Sequence, residues 1–292
     1  MRKSVRLKQA VELYRQTYLA TPRYAARTRR EYLTDLRQLC EYLAAQDIRT
    51  VGTVTRSHLQ GFLAHLDQLP LMTATRRRKA SVLGSFFRFL DETGARAGDP
   101  ADELVPPEVE DRQVRYLTED EYLRLRYAAR HDPRDAAMIE VLLQTGMRLS
   151  DLAGLHLSDL AVRPESVCTA RVGSGRHRRI LRLNAKACEA LRDYLRVRPA
   201  DAGDDLAFQT KFRRGIGPRA IEDVVNKHLR AVGIEDVSVH DLRHTYAVHS
   251  LKHGVGLDAV RDMLGFQSDR PMGIYQELAQ LETDRQLQEN VL

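Results

Sequence analysis

The stretch LLQTGMRLSDL at residues 142–152 joins the end of an apolar run to a glycine turn and then to Arg148. Two later stretches are equally distinctive: HDLRHT at 240–245, and LGF at 264–266 with Ile274 and Tyr275 shortly after it. We call these the first, second and third motifs. They supply two arginines, a histidine and a tyrosine, namely Arg148, Arg243, His240 and Tyr275. Such a set can clamp a phosphodiester and attack it, which points to strand exchange in DNA.

Length and composition indicate a globular protein of two domains. The chain has 292 residues, 43% of them hydrophobic, which gives each domain enough material for a core. No apolar run approaches the roughly 20 residues of a membrane helix, and the polar N-terminus does not resemble a signal peptide. We therefore expect a cytoplasmic protein. Its cysteines, Cys40, Cys168 and Cys188, are odd in number and lack a CxxC spacing, so we expect them to be reduced and without a metal.

The positive charge is concentrated in the first third of the chain. Residues 1–105 contain 18 lysines and arginines against 11 acidic residues, which leaves 28 basic against 29 acidic residues for the remainder. This distribution permits an anionic partner such as DNA. A solvated, arginine-rich surface would have the same composition, so charge alone does not decide between them.

Four amphipathic helices are predicted in this basic third, because apolar residues recur there at helical spacing. Thr55 and Thr73 are expected to cap the third and fourth helices. A basic cluster opens the fourth helix and could bind phosphates while the apolar face packs inward; it consists of Arg76, Arg77, Arg78 and Lys79. A solvated basic turn is the alternative, and the local sequence leaves both open.

The sequence predicts a helical domain at 1–107 and a second domain at 114–292 that ends in a tail helix. A charged linker at 108–113, preceded by two prolines, is expected between them. Thr118 and Glu121 have the spacing of a capping box at the start of the second domain. Two strands are expected at 167–172 and 180–183, around the turn Gly173-Ser174-Gly175-Arg176. Further helices are expected at 136–144, 187–196, 219–232, 240–253, 257–264 and 274–288.

The three motifs resemble the signature sequences of the tyrosine recombinases, the phage integrase and Xer-like family. The resemblance extends into the first third, where ATRRR at 74–78 and SFFRFL at 85–90 are similar to the family's helical core-binding domain. It implies a mainly α fold, in which this domain accompanies an α+β catalytic domain with a small antiparallel sheet. It also implies a C-shaped clamp on double-stranded DNA and a homotetramer on paired sites.

Each motif residue has a chemical role in that scheme. Arg148 and Arg243 would hold the non-bridging phosphate oxygens, where negative charge builds up during attack. Asp151 would either orient Arg148 or cap the following helix. His240 would assist proton transfer, and Tyr275 would displace a 5′-hydroxyl to leave a 3′-phosphotyrosyl link, with no metal or cofactor.

His244 follows Arg243 directly. On a helix it projects about 100° away from that arginine, so we expect it to be structural.

Two positions depart from the family pattern. The family usually has a lysine in the hairpin turn as the acid for the leaving hydroxyl, whereas this chain has Ser174, so Arg176 or His177 would have to substitute. It usually has histidine or tryptophan where Phe266 stands, and phenylalanine cannot donate a hydrogen bond. Loss of a general acid slows a reaction by about 10² to 10⁴-fold, so these departures would allow slow or conditional cleavage.

The leading hypothesis is therefore a site-specific recombinase that acts in DNA recombination or integration. Ser174 and Phe266 favour a second hypothesis, a DNA-binding protein of the same fold with weakened or lost catalysis. A third is a type IB topoisomerase-like enzyme, which shares the tyrosine chemistry but would relax plasmids that lack a specific site.

Overall fold

The computed structural model describes residues 5–105, 114–162, 167–173, 175, 178–199, 205–269 and 271–289, with side chains up to residue 285. The chain divides into two compact units, Met1–Arg112 and Gln113–Leu292. The predicted linker at 108–113 lies outside the described residues, and so do Ser174, Arg176 and His177 of the predicted hairpin turn.

The first unit is helical, as predicted. Its four α-helices are α1 Leu7–Gln16, α2 Ala26–Ala44, α3 Arg56–Asp67 and α4 Thr73–Glu92. Their apolar faces share one core, whose largest fully buried side chains include Tyr14, Phe62, Phe86 and Phe87. Burial of such aromatic rings supplies much of the apolar area that holds a small helical unit together.

The caps in this unit follow the prediction only in part. Thr55 caps α3, since its hydroxyl accepts a hydrogen bond from the His58 amide. The predicted cap at Thr73 is wrong, because the N-cap of α4 is Met72 and Thr73 lies in the first turn. The Thr73 hydroxyl instead accepts a hydrogen bond from Arg76.

The second unit contains eight α-helices among the residues that the structure describes. They are α5 Glu119–Ala129, α6 Pro133–Thr145, α7 Leu149–Ala153, α8 Ala185–Val197, α9 Pro218–Ala231, α10 Val239–Lys252, α11 Leu257–Leu264 and α12 Met272–Glu289. The capping box of Thr118 and Glu121 begins α5 as predicted. Helix α6 is buried along most of its length and packs against α8 and α10. It therefore forms the centre of the unit and carries the first motif at its C-terminal end.

A small antiparallel sheet lies between α7 and α8. Its strands are β1 Leu160–Ala161, β2 Thr169–Val172 and β3 Arg179–Arg182, in the order β1-β2-β3. The pair Ala170 and Leu181 faces the core, and both side chains are buried. Strand β1 was not predicted, because two residues give no periodic signal and the strand forms only through its pairing with β2.

Helices α10, α11 and α12 form a second apolar cluster, in which Val248, Leu264, Met272 and Tyr275 are buried together. This cluster brings the second and third motifs side by side. The predicted mainly α, two-domain fold with a small antiparallel sheet is confirmed.

One expectation about the cysteines is wrong. Cys168 and Cys188 form a disulfide, which joins the residue before β2 to α8, while Cys40 is free. Both partners are buried. The pairing depends on a long-range contact across 20 residues of sequence, which spacing alone does not reveal.

Candidate active site

Arg243 is the central residue of the site. It lies in the second turn of α10, only 5% exposed, and Asp241 closes a capping box with Ser238 at the start of that helix. Its Nη1 donates to the Gly146 carbonyl at 2.6 Å, and its Nη2 donates to the Leu264 carbonyl at 2.5 Å. One guanidinium therefore joins all three motifs.

Both partner turns depend on a left-handed residue. Gly146 ends α6 with φ +57°, and Gly265 ends α11 with φ +69°. A Cβ at Gly146 would lie 2.7 Å from both Leu264 Cδ2 and Tyr246 Cδ1. Glycine is needed at residue 146 because it permits this backbone and this close packing.

Arg148 and Asp151 stand on the short helix α7. Arg148 is its exposed N-cap, and Arg148 Nη2 donates to the Gly265 carbonyl at 3.4 Å. The Asp151 carboxylate lies 3.3 Å from Nη2 of Arg179, a β3 residue that the sequence did not single out. Arg179 Nε in turn donates to the Met263 carbonyl at 3.2 Å. Asp151 therefore contacts Arg179, whose guanidinium is close enough to Arg148 to feel its charge.

Tyr275 is buried on α12, 4% exposed, and its Oη lies 2.8 Å from His244 Nδ1. His240 packs edge-on against His244, with the ring centroids 4.8 Å apart. The sequence predicted a structural role for His244, yet it contacts the proposed nucleophile directly. One signal was available: His244 is four residues after His240, so both lie on the same face of a helix.

Phe266 fills the space between Arg243 and Tyr275. The Arg243 Cζ lies 4.9 Å from the centre of its ring, a cation–π contact, and the Tyr275 ring stacks at 6.5 Å. Its hydrocarbon ring thus provides packing but no hydrogen bond.

Burial dominates the electrostatics of the site. It lowers the pKa of Arg243 to about 10, and the nearby charge of Arg148 acts in the same direction. Burial also lowers the pKa of His240 and His244, whereas it raises the pKa of the Tyr275 phenol. At neutral pH the imidazoles are therefore uncharged and the phenol is protonated. Because the charge of Arg148 disfavours the charged form of Arg243, a bound anion would stabilise Arg243 in its charged form.

The basic cluster of the first unit is not uniform. Lys79 is 4% exposed, and its Nζ donates to Asp35 at 2.6 Å and to Gln38 at 2.5 Å. Arg78 forms an ion pair with the same aspartate, which is itself buried. Both cations therefore have a carboxylate partner inside the unit, although the Arg78 side chain remains 34% exposed.

The other two members differ in exposure, since the Arg76 side chain is only 24% exposed. Arg76 pairs with Asp67, while Arg77 is exposed. Arg77 is therefore the member of the cluster best placed to meet an external phosphate.

The described part of the chain contains no cluster of three or more histidine, cysteine or acidic side chains arranged to hold a metal ion. Within the same residues, no helix combines the length and apolarity required to span a membrane.

Comparison with known proteins identifies the family. Residues 115–282 match the model of the phage integrase family, and residues 11–94 match that of the phage integrase N-terminal SAM-like domain. The tyrosine recombinase XerC of Roseiflexus sp. (strain RS-1) is 30% identical over 263 residues, which cover 86% of this chain and 83% of the relative.

Two solved structures show the same fold. XerH recombinase bound to a palindromic difH substrate, in a post-cleavage complex, matches with a TM-score of 0.77 and 18% identity, covering 96% of this chain and 84% of that one. A lambda integrase tetramer bound to a Holliday junction matches with a TM-score of 0.75 and 19% identity, covering 94% of this chain and 78% of that one. The chain therefore belongs to the phage integrase family, the family of the tyrosine recombinases.

Proposed function

We propose that this protein is a site-specific DNA recombinase that cuts and rejoins strands through a 3′-phosphotyrosyl intermediate. The observation that carries the proposal is the position of Arg243. This residue of the second motif donates hydrogen bonds to the first and third motifs, and the Phe266 ring contacts both Arg243 and Tyr275. A positively charged anchor beside a buried phenol suits in-line attack on a phosphodiester.

In the proposed reaction, Arg148 and Arg243 bind the non-bridging oxygens of the scissile phosphate and stabilise the charge that develops on them. Tyr275 Oη attacks the phosphorus, the bond to the 5′ oxygen breaks, and the 3′ phosphate remains on the enzyme. Rejoining is the reverse reaction with a 5′-hydroxyl from another strand. His240 lies beside this centre and would hydrogen-bond the phosphate or assist proton transfer.

We assign residues 1–107 to a helical core-binding domain, 108–113 to the linker and 114–292 to the catalytic domain. The partner is double-stranded DNA, and the active assembly is a homotetramer on paired sites in the cytoplasm. The lambda integrase tetramer on a Holliday junction supports this stoichiometry by fold similarity. Within the basic cluster, the exposed Arg77 is the expected phosphate ligand.

The decisive experiment is covalent trapping. A nicked duplex with the native flanking DNA releases its 5′ fragment after cleavage, so the protein–DNA adduct accumulates and is visible on a denaturing gel. The Tyr275→Phe variant should form no adduct, whereas Tyr127→Phe, which alters an exposed tyrosine on α5, should form it normally. An adduct that persists in Tyr275→Phe would refute the assignment. Exchange of strands between two sites would then establish recombination.

The second candidate function is DNA binding with weakened or lost catalysis, which Ser174 and Phe266 favour. The proposed recombinase lacks the usual lysine acid in the hairpin turn, so Arg176 or His177 would have to protonate the leaving hydroxyl. Arginine is a poor acid near neutral pH, which makes His177 the better donor. Tight binding of duplex without any adduct would support the second function.

The missing acid can be tested separately. Ser174→Lys should accelerate cleavage of an ordinary substrate by up to about 10² to 10⁴-fold. A 5′-bridging phosphorothiolate, whose sulfur leaves without a proton, should react equally in both proteins. If the lysine gives no acceleration and both substrates react at the same rate, another residue already supplies the proton.

A further inference from the structure

The contact between His244 and Tyr275 is the closest polar contact of the proposed nucleophile among the described residues. His244 Nδ1 and Tyr275 Oη are 2.8 Å apart, at a point where α10 packs against α12. The His244 side chain is 17% exposed and Tyr275 is 4% exposed. Bulk water therefore has little access to the phenol, and the imidazole is the group placed to exchange a proton with it.

The phenol needs such a partner in order to react. A neutral phenol is a weak nucleophile, and burial raises the pKa of Tyr275 above its ordinary value of 10.0, although the charge of Arg243 opposes this shift. Spontaneous ionisation at neutral pH is therefore rare. The proton must leave as the oxygen bonds to phosphorus, and it requires an acceptor within hydrogen-bond reach.

Asp241 lies on the far side of the imidazole. The His244 Nε2 lies 4.0 Å from Asp241 Oδ1, while Asp241 Oδ2 accepts hydrogen bonds from the amide and the hydroxyl of Ser238, each at 2.7 Å. The capping box thus holds a carboxylate where it would stabilise an imidazolium. Nucleophile, histidine and aspartate follow the same order of roles as in a serine–histidine–aspartate triad.

The neighbouring charges keep His244 ready to accept a proton. After burial, the largest influence that lowers the His244 pKa is His240, followed in the same direction by Arg243, while Asp241 opposes them. Tyr275 faces the ring from α12. In the neutral tautomer that carries its proton on Nε2, His244 would present the Nδ1 lone pair to the phenol.

We propose that His244 is the general base for Tyr275, a catalytic role additional to those of the motif arginines and of His240. As the Tyr275 oxygen bonds to phosphorus, its proton passes to His244 Nδ1, and the departing 5′ oxygen takes a proton from water or from a hairpin residue. In rejoining, the imidazolium returns a proton to the phenolate oxygen, while the attacking 5′-hydroxyl gives its own proton back to the water or hairpin residue that supplied one in cleavage. No net proton is gained or lost over the cycle. The assignment rests on the proposed function.

The test is the pH dependence of single-turnover adduct formation on the nicked duplex. His244→Asn keeps an amide near the position of Nδ1 but cannot take up a proton. We expect its rate at neutral pH to fall by about 10² to 10⁴-fold, with DNA affinity unchanged. In the wild type, the rate should rise to a plateau just above the lowered His244 pKa, because only the neutral imidazole accepts a proton. In His244→Asn, the rate should instead increase in proportion to hydroxide concentration from about pH 7 to about pH 9.

Two further variants separate chemistry from folding. His253→Asn changes the exposed C-cap of the same helix and should behave as the wild type. In His244→Ala, added imidazole should restore adduct formation in proportion to its unprotonated fraction, which a purely structural role would not produce. A near wild-type rate in His244→Asn, an unchanged shape of its pH profile, or failure of imidazole rescue would each overturn the proposal.

The controls also separate this proposal from the function on which it rests. Adduct formation by the wild type and none by Tyr275→Phe establish the tyrosine chemistry independently of His244. If those results hold and His244→Asn cleaves normally, only the general-base role fails. Absence of an adduct in the wild type, or its presence in Tyr275→Phe, would refute both.

Discussion

Gly146→Ala should damage the stability and the activity of the second unit together. Alanine at residue 146 would have to adopt the left-handed backbone conformation, which costs about 1–2 kcal/mol for a non-glycine residue. It must also displace Leu264 and Tyr246, whose side chains lie 2.7 Å from the new Cβ, at a further cost of about 1–3 kcal/mol for overpacking. We therefore expect the free energy of unfolding to fall by about 2–5 kcal/mol, a large part of the 5–15 kcal/mol typical of a domain.

A matched variant isolates the steric part of this effect. Gly233 also has a positive φ of +72°, but apart from its two chain neighbours no described residue has an atom within 4 Å of a Cβ built there. Gly233→Ala should therefore show the backbone cost alone. The difference between the two variants in urea unfolding, followed by circular dichroism, measures the clash.

The activity of the same variants tests the position of Arg243. Because the Gly146 carbonyl accepts a hydrogen bond from Arg243, a shift of this turn should displace the guanidinium and slow adduct formation, whereas Gly233→Ala should not. Equal stability of the two variants, or a wild-type cleavage rate in folded Gly146→Ala, would refute this reasoning.

Three further predictions concern other parts of the chain. Asp35→Ala leaves the Lys79 ammonium buried without its carboxylate and should lower the free energy of unfolding by about 3–5 kcal/mol. Adding Lys79→Met should restore most of that loss, and a double variant as unstable as Asp35→Ala alone would contradict the role of the ion pair. Arg77→Ala should reduce the salt dependence of DNA affinity by about 0.9 in log–log slope, while Lys79→Met should leave the slope unchanged; equal slopes in anisotropy titrations would count against the difference. Reduction of the Cys168–Cys188 disulfide should lower stability by about 3 kcal/mol, which an unchanged denaturation midpoint in reductant would disprove.

Local sequence was sufficient for most helices and for the motif turns. The capping box of Thr118 and Glu121 was predictable because its hydrogen bonds join residues three apart. Strand β1 was not predictable, since its two residues are held only by their pairing with β2. Amphipathic spacing thus identifies helices and strands that local residues specify. It misses short elements that form only because they pair with another part of the chain.

The candidate site shows the same division. The sequence selected Arg148, Arg243 and Tyr275 through their motifs, and helical geometry correctly separated His244 from Arg243. His244 instead contacts Tyr275, which lies 31 positions later in the chain, and only the packing of α10 on α12 reveals this contact. Lys79 is comparable, because its acceptor Asp35 lies 44 positions away on another helix.

The two carbonyl contacts of Arg243 also set a donor count that lysine cannot match. A guanidinium has five N–H groups in one plane, and the bonds to Gly146 and Leu264 use a single hydrogen on each terminal nitrogen. The second hydrogen on each of these nitrogens and Nε–H are outside these two bonds, and those on the substrate side can donate to a phosphate. An ammonium has three donors on one atom, so two internal bonds would leave it a single N–H for the substrate. Arg243→Lys therefore changes the number of donors as well as the shape, since lysine would keep one N–H for the DNA where arginine keeps three.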